Sequence, residues 1–71
     1  MTKLGLYLAK RATNKALVAR RTGLSKVRVL ELCSNEKTKL KASELYLIAK
    51  AIEVNPCELL EEICGDLKLI E

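Results

Sequence analysis

The chain has no His, no Trp and no Phe, only one Pro, and two Tyr as its sole aromatics. The missing histidines matter most. Its three cysteines, Cys33, Cys57 and Cys64, form no C-x-x-C pair, so the usual zinc-ligand spacings are absent and neither a metal nor another cofactor is expected. Histidine is also the commonest general base, and no carboxylate pair or Gly-rich phosphate loop stands in for it, so no enzyme is expected. Two tyrosines offer little for unpaired bases to stack on, which argues against a single-strand binder. No apolar run approaches the ~20 residues that cross a bilayer. There is no signal-peptide pattern at the N-terminus. An odd number of cysteines without such a signal reads as reduced thiols, and the expected location is cytoplasmic.

What is present is a short, half-apolar chain with a divided charge. It has 71 residues, 49% of them hydrophobic, and no linker, repeat or low-complexity segment, so residues 1–71 are expected to form one domain. A chain this short buries only about 60% of the surface its unfolded form exposes, and a dimer contact would help it. The net charge is +4, but residues 1–41 carry eleven Lys/Arg against two acids, while residues 42–71 carry two Lys against seven acids. A basic first half and an acidic second half suggest a polyanionic partner on one side only.

Apolar periodicity predicts five helices and an all-α fold. The first covers about Thr2 to Arg11, with Leu4 and Leu8 on one face. The second is capped by Thr13 or Asn14 and ends at Gly23, where either a side chain would clash or a left-handed backbone is needed. The third is capped by Ser25 and runs to about residue 33, followed by a polar, basic loop over 34–39. The fourth runs from about Ala42 to Ile52, with Leu45, Ile48, Ala49 and Ile52 as a buried stripe. The fifth starts at Asn55 and Pro56, with Glu58 placed to reach back to the cap amide, and ends at Gly65. Alternation of Leu67 and Leu69 in the tail hints at a short strand, with disorder as the alternative.

The densest pattern is KALVARRTGLSKVRVLELCS, residues 15–34. Small Ala19 allows a second helix to cross closely, and Val29 and Leu32 bury one face of that helix. Lys26, Val27, Leu30, Glu31 and Ser34 are then left on its outer face. The spacing describes a helix-turn-helix over 15–34, whose second helix would enter a DNA major groove.

With Val18, Ala19, Gly23, Leu24, Ser25, Val29 and Leu32 in this order, and with IAKAIEV (48–54) and NPCELL (55–60) downstream, the chain resembles the Xre/Cro/CI family of bacterial and phage repressors over roughly residues 4–64. The resemblance implies a five-helix, lambda-repressor-like DNA-binding domain. It places Lys26, Val27 and Glu31 at base-reading positions, with Leu30 beside them. Lys26 could donate to guanine, Val27 could pack on a thymine methyl, and Glu31 could accept from cytosine N4. Glu31 could equally pair with Arg28, and Leu30 could await a protein partner. Phosphate contacts are expected from Asn14, Lys15, Ser25, Arg28, Ser34, Asn35, Lys37, Thr38 and Lys39. Members of the family commonly pair through helix five, which makes residues 55–71 the expected dimerisation region, with Pro56, Cys57, Leu60, Ile63, Cys64 and Leu67 as the contact. Leu59 is expected in the protomer's own core. The alternative is that the folded-back tail completes the apolar face through Leu69 and Ile70, leaving a monomer that dimerises only on DNA. Cys57 and Cys64, seven apart, are expected on one face of the helix.

The expected function is that of a sequence-specific double-stranded DNA-binding transcriptional regulator, a repressor acting as a homodimer on a two-fold operator. The alternative is a protein-interaction module of the same fold, such as the antitoxin of a toxin–antitoxin pair, with the toxin as its partner. No membrane association is expected.

Overall fold

The computed structural model describes residues 1–71 and contains five helices: α1 (Lys3–Lys10), α2 (Lys15–Thr22), α3 (Lys26–Ser34), α4 (Ala42–Ala51) and α5 (Pro56–Cys64). There is no strand. Most starts are explained by a polar side chain that satisfies the first free amides of the helix. Thr2 accepts from Gly5, Asn14 from Ala16 and Leu17, Ser25 from Arg28, and Asn55 from Cys57. α4 has no such cap, since Lys41 precedes it; instead Glu44 Oε1 reaches back and accepts the Lys41 amide at 2.9 Å. This is the role expected of Glu58, which makes no such bond and faces solvent. The predicted boundaries shift by a residue: Thr2 and Arg11 flank α1 as caps, Ser34 belongs to α3, and Ile52 caps α4.

Each helix contributes to one core. Leu4 and Leu8 come from α1, Val18 and Ala19 from α2, Val29, Leu32 and Cys33 from α3, Leu45, Ile48 and Ala49 from α4, and Leu59 from α5; Val54 enters from the turn before α5. α3 packs against both α2 and α1, α4 against α2 and α5, and α1 against α5. Burial pushes the Cys33 thiol above its usual pKa, so it stays protonated and acts as a small apolar filler.

α1 approaches the backbone of α3 closely. The Thr2 amide donates to Cys33 O at 3.0 Å, and its hydroxyl donates to Leu32 O at 2.7 Å. Thr2 therefore caps its own helix and also occupies carbonyls at the end of α3. Gly5, buried one turn on, lies against the Cys33 carbonyl.

The α2–α3 turn rests on Gly23, whose φ is +80° and whose amide donates to Ala19 O at 3.0 Å. A Cβ there would meet nothing within 4 Å. The requirement is therefore conformational, and the steric alternative falls away. Gly23→Ala is expected to lose about 1–2 kcal/mol, the cost of a left-handed L-residue, while Gly23→Asn loses less because Asn tolerates that region. Urea unfolding of the two variants checks this; equal losses would assign the effect to something other than backbone conformation.

Residues beyond α5 form a turn, with the Leu67 amide donating to Cys64 O at 2.9 Å, and then leave the body of the protein. The strand suggested by Leu67 and Leu69 does not form, because an all-helical domain offers no edge to pair with. Leu69 and Ile70 stand in solvent, so the tail does not fold back over α5. No helix is long and apolar enough to cross a membrane.

Candidate nucleic-acid interface

α3 buries Val29, Leu32 and Cys33 and thereby turns Val27, Leu30, Glu31 and Ser34 outward on a stripe with spacing i, i+3, i+4, i+7. Lys26, in the first turn, is exposed beside them. Neither Lys26 nor Glu31 takes part in an ion pair. The first turns of α2 and α3 hold no acidic residue, so the positive ends of both helix dipoles stay uncompensated. α4 and α5 differ, each with a glutamate in that turn.

Arg28 sits on the flank of α3 and is bound within the protein. Its Nε donates to Glu44 Oε2 at 2.8 Å, and its Nη2 donates to Glu44 Oε1 and to Lys39 O, both at 2.9 Å. Expected as a phosphate contact, or as the partner of Glu31, Arg28 is instead a strut joining α3, the start of α4 and the loop between them. The reason is charge satisfaction: Glu44 is buried at the start of α4 and needs a cation, and Arg28 is the one within reach. Hydrogen bonding from Arg28 holds the Glu44 carboxyl below the ordinary glutamate range. Arg21 has a related duty, donating to Ala51 O at the end of α4 at 2.9 Å.

The other expected phosphate contacts differ in what they have left to offer. Asn14 accepts two amides at the start of α2 through Oδ1, and Asn35 accepts the Lys37 amide in the same way, so the amide NH₂ group of each is free to donate. Ser25 accepts the Arg28 amide and keeps its hydroxyl hydrogen. Lys37 and Lys39 are exposed cations outside any ion pair, Lys15 is half-buried at the start of α2, and Thr38 is half-buried in the loop. The exposed Ser34 hydroxyl donates to Leu30 O at 2.7 Å.

Of the residues expected at a dimer contact, Pro56 and Ile63 are half-buried and Cys57, Leu60 and Leu67 are exposed. Leu60, Ile63, Cys64 and Leu67 line a groove of about 860 Å³ that also takes in Thr38, Lys39 and Leu40 from the α3–α4 loop. Cys57 lies elsewhere, in a depression with Tyr7, Glu58, Glu61 and Glu62, and half-buried Pro56 lines neither. Cys57 and Cys64, two turns apart on α5, lie on one side of the helix about 10 Å apart along its axis, each beside a different neighbour. Leu59 is fully buried, as expected.

Sequence reasoning missed Glu44, Arg21 and Thr2 as positioning residues. Gly5 alone carried a visible signal, as a glycine inside a helical pattern.

A family model for the Cro/C1-type HTH DNA-binding domain matches residues 3–64. No curated protein and no solved structure matches the chain.

Proposed function

The chain belongs to the Cro/C1-type HTH DNA-binding family, and from that premise we propose that it is a sequence-specific regulator that binds duplex DNA with α3 in the major groove and represses as a homodimer on a two-fold site. The observation that carries this reading is the outer face of α3. It presents Lys26 and Glu31 free of ion pairs; Asn14 at the start of α2 and Asn35 at the end of α3 keep unbonded amide donors, and exposed Lys37 and Lys39 follow in the loop. Phosphate donors on both sides orient the helix, and the side chains between them meet base edges. Val27 and Leu30 belong to that face. In this reading the groove along Leu60, Ile63, Cys64 and Leu67 receives the second protomer, which sets two α3 helices about 34 Å apart on one side of the duplex. Steric cover of a promoter then suffices for repression.

Selection of bound duplexes from a random pool, followed by salt titration, tests the reading. Expected are a two-fold consensus and an affinity that falls steeply with salt. An absence of duplex binding even at low salt overturns it. Lys26→Ala and Glu31→Ala are each expected to relax preference at one or two base pairs by about 1–3 kcal/mol. Repeating the selection with each variant checks this; an unchanged consensus in both removes them as readers. Sedimentation with and without a palindromic site tests the dimer, and a monomer on a single half-site in both conditions overturns it.

A further inference from the structure

Leu67, Leu69 and Ile70 are 74%, 90% and 104% exposed. Three large apolar side chains within four residues thus stand in water. Residues 68–71 make no hydrogen bond or ion pair with the rest of the chain. The molecule measures 41 × 24 × 22 Å along its principal axes, and the excess of the first matches the reach of five extended residues, about 16–18 Å.

This segment starts at the edge of a groove. Asp66 and Leu67 line that edge, held by the Lys3 Nζ–Asp66 Oδ2 ion pair at 2.6 Å and by the Leu67 amide on Cys64 O. Buried Leu32 and Leu45 and the less buried Leu40, Leu60 and Ile63 make the groove apolar. Its volume of about 860 Å³ lies near the top of the range that takes a drug-sized ligand, so it has room for more than one aliphatic side chain. Glu36, Lys39 and Lys41 line it too, none of them in an ion pair. The segment itself brings one charge of each sign, Lys68 and Glu71.

Resting on the homodimer reading above, we propose that residues 67–71 form an arm that lies in this groove of a second copy. Leu69 and Ile70 fill its apolar part, and Lys68 and Glu71 meet Glu36 and the free lysines. A second copy is the occupant because arm and groove match in hydropathy and in charge and adjoin each other in every protomer. A two-fold axis between two grooves then exchanges both arms at once. The exchange breaks no contact of the single protomer, because Leu69 and Ile70 have none to give up there.

The test is sedimentation of the full chain and of Leu69→Ser and Ile70→Ser over a range of micromolar concentrations. Each variant should weaken self-association about tenfold or more, as loss of one buried aliphatic side chain from each arm requires. Urea unfolding at a dilution where the parent is monomeric should be unchanged, since neither side chain belongs to the core. Glu71→Cys in a Cys57→Ser background places a thiol near Cys64 of the second copy. Mild oxidation should therefore give a covalent dimer on a non-reducing gel, well above the amount from Cys57→Ser alone. A disulfide that closes within one chain, or a loss of monomer stability in the serine variants, places the arm in its own groove and overturns the proposal. Undiminished association of both serine variants also overturns it and leaves a homodimer joined through α5 alone. A parent that is monomeric with and without a palindromic site overturns both readings.

Discussion

Gly5→Ala is expected to destabilise the protein by about 2–3 kcal/mol, a typical overpacking cost, and to lower Tm by roughly 10–20 °C. A Cβ at residue 5 would stand well inside van der Waals contact with the Cys33 carbonyl oxygen and 3.0 Å from its carbon. Those are backbone atoms at the end of α3, so no side-chain rotation relieves the clash. The two helices must separate, and that takes with it the Thr2 bonds to Cys33 O and Leu32 O. Helix propensity alone predicts the opposite sign, since Ala in a helix interior is favoured over Gly by about 0.5–1 kcal/mol. Thermal or urea unfolding therefore decides between propensity and packing by sign as well as by size. A neutral or stabilising result would mean that α1 does not lie so close to α3.

Glu44→Gln is expected to cost about 1.5–3 kcal/mol, the range for hydrogen bonds to a charged group. Glu44 accepts two bonds from Arg28 and one from the Lys41 amide. The amide side chain keeps one acceptor oxygen, cannot receive both Arg28 donors as a carboxylate does, and brings an NH₂ group into a site built for an anion. The effect has a pH signature. Because Arg28 lowers the Glu44 pKa below its ordinary 4.5, the folded state favours the ionised form. Its contribution is fully present above that ordinary value and is lost as acid takes the pH down through the lowered one. Parent and variant stabilities should differ by a constant amount near neutrality and converge in acid. A gap that stays constant into strong acid would show that charge is not what the pair supplies.

The helix-turn-helix was legible because its residues signal locally. Asn14 and Ser25 are cap formers, Gly23 is a left-handed stop, and Val29 and Leu32 mark a buried face. The ends of α1 and α4 were less legible. Each leads into a turn made by a residue at positive φ, Ala12 at 53° and Glu53 at 59°, and neither residue type announces that conformation. Arg28 and Glu44 were opaque for another reason. They lie 16 positions apart on different helices, and nothing in local spacing distinguishes an arginine that faces solvent from one that turns to a buried carboxylate. What borders α5 was not legible either, because helical spacing gives angular position only. What lies opposite each turn, Tyr7 beside Cys57 and the α3–α4 loop beside Cys64, depends on the packing of the whole domain.

Thr2 completes α3 from 30 residues away. A helix end normally frays, because its last carbonyls have only water to bond. Here two of them hold groups of residue 2, so the last turn of α3 opens only when α1 lifts away. Amide exchange in that turn should then follow the whole domain's unfolding instead of showing the rapid exchange of a loose terminus. α3 is thus held to its end, and a change at Thr2, 30 residues away in sequence, would alter how firmly its outer stripe is held.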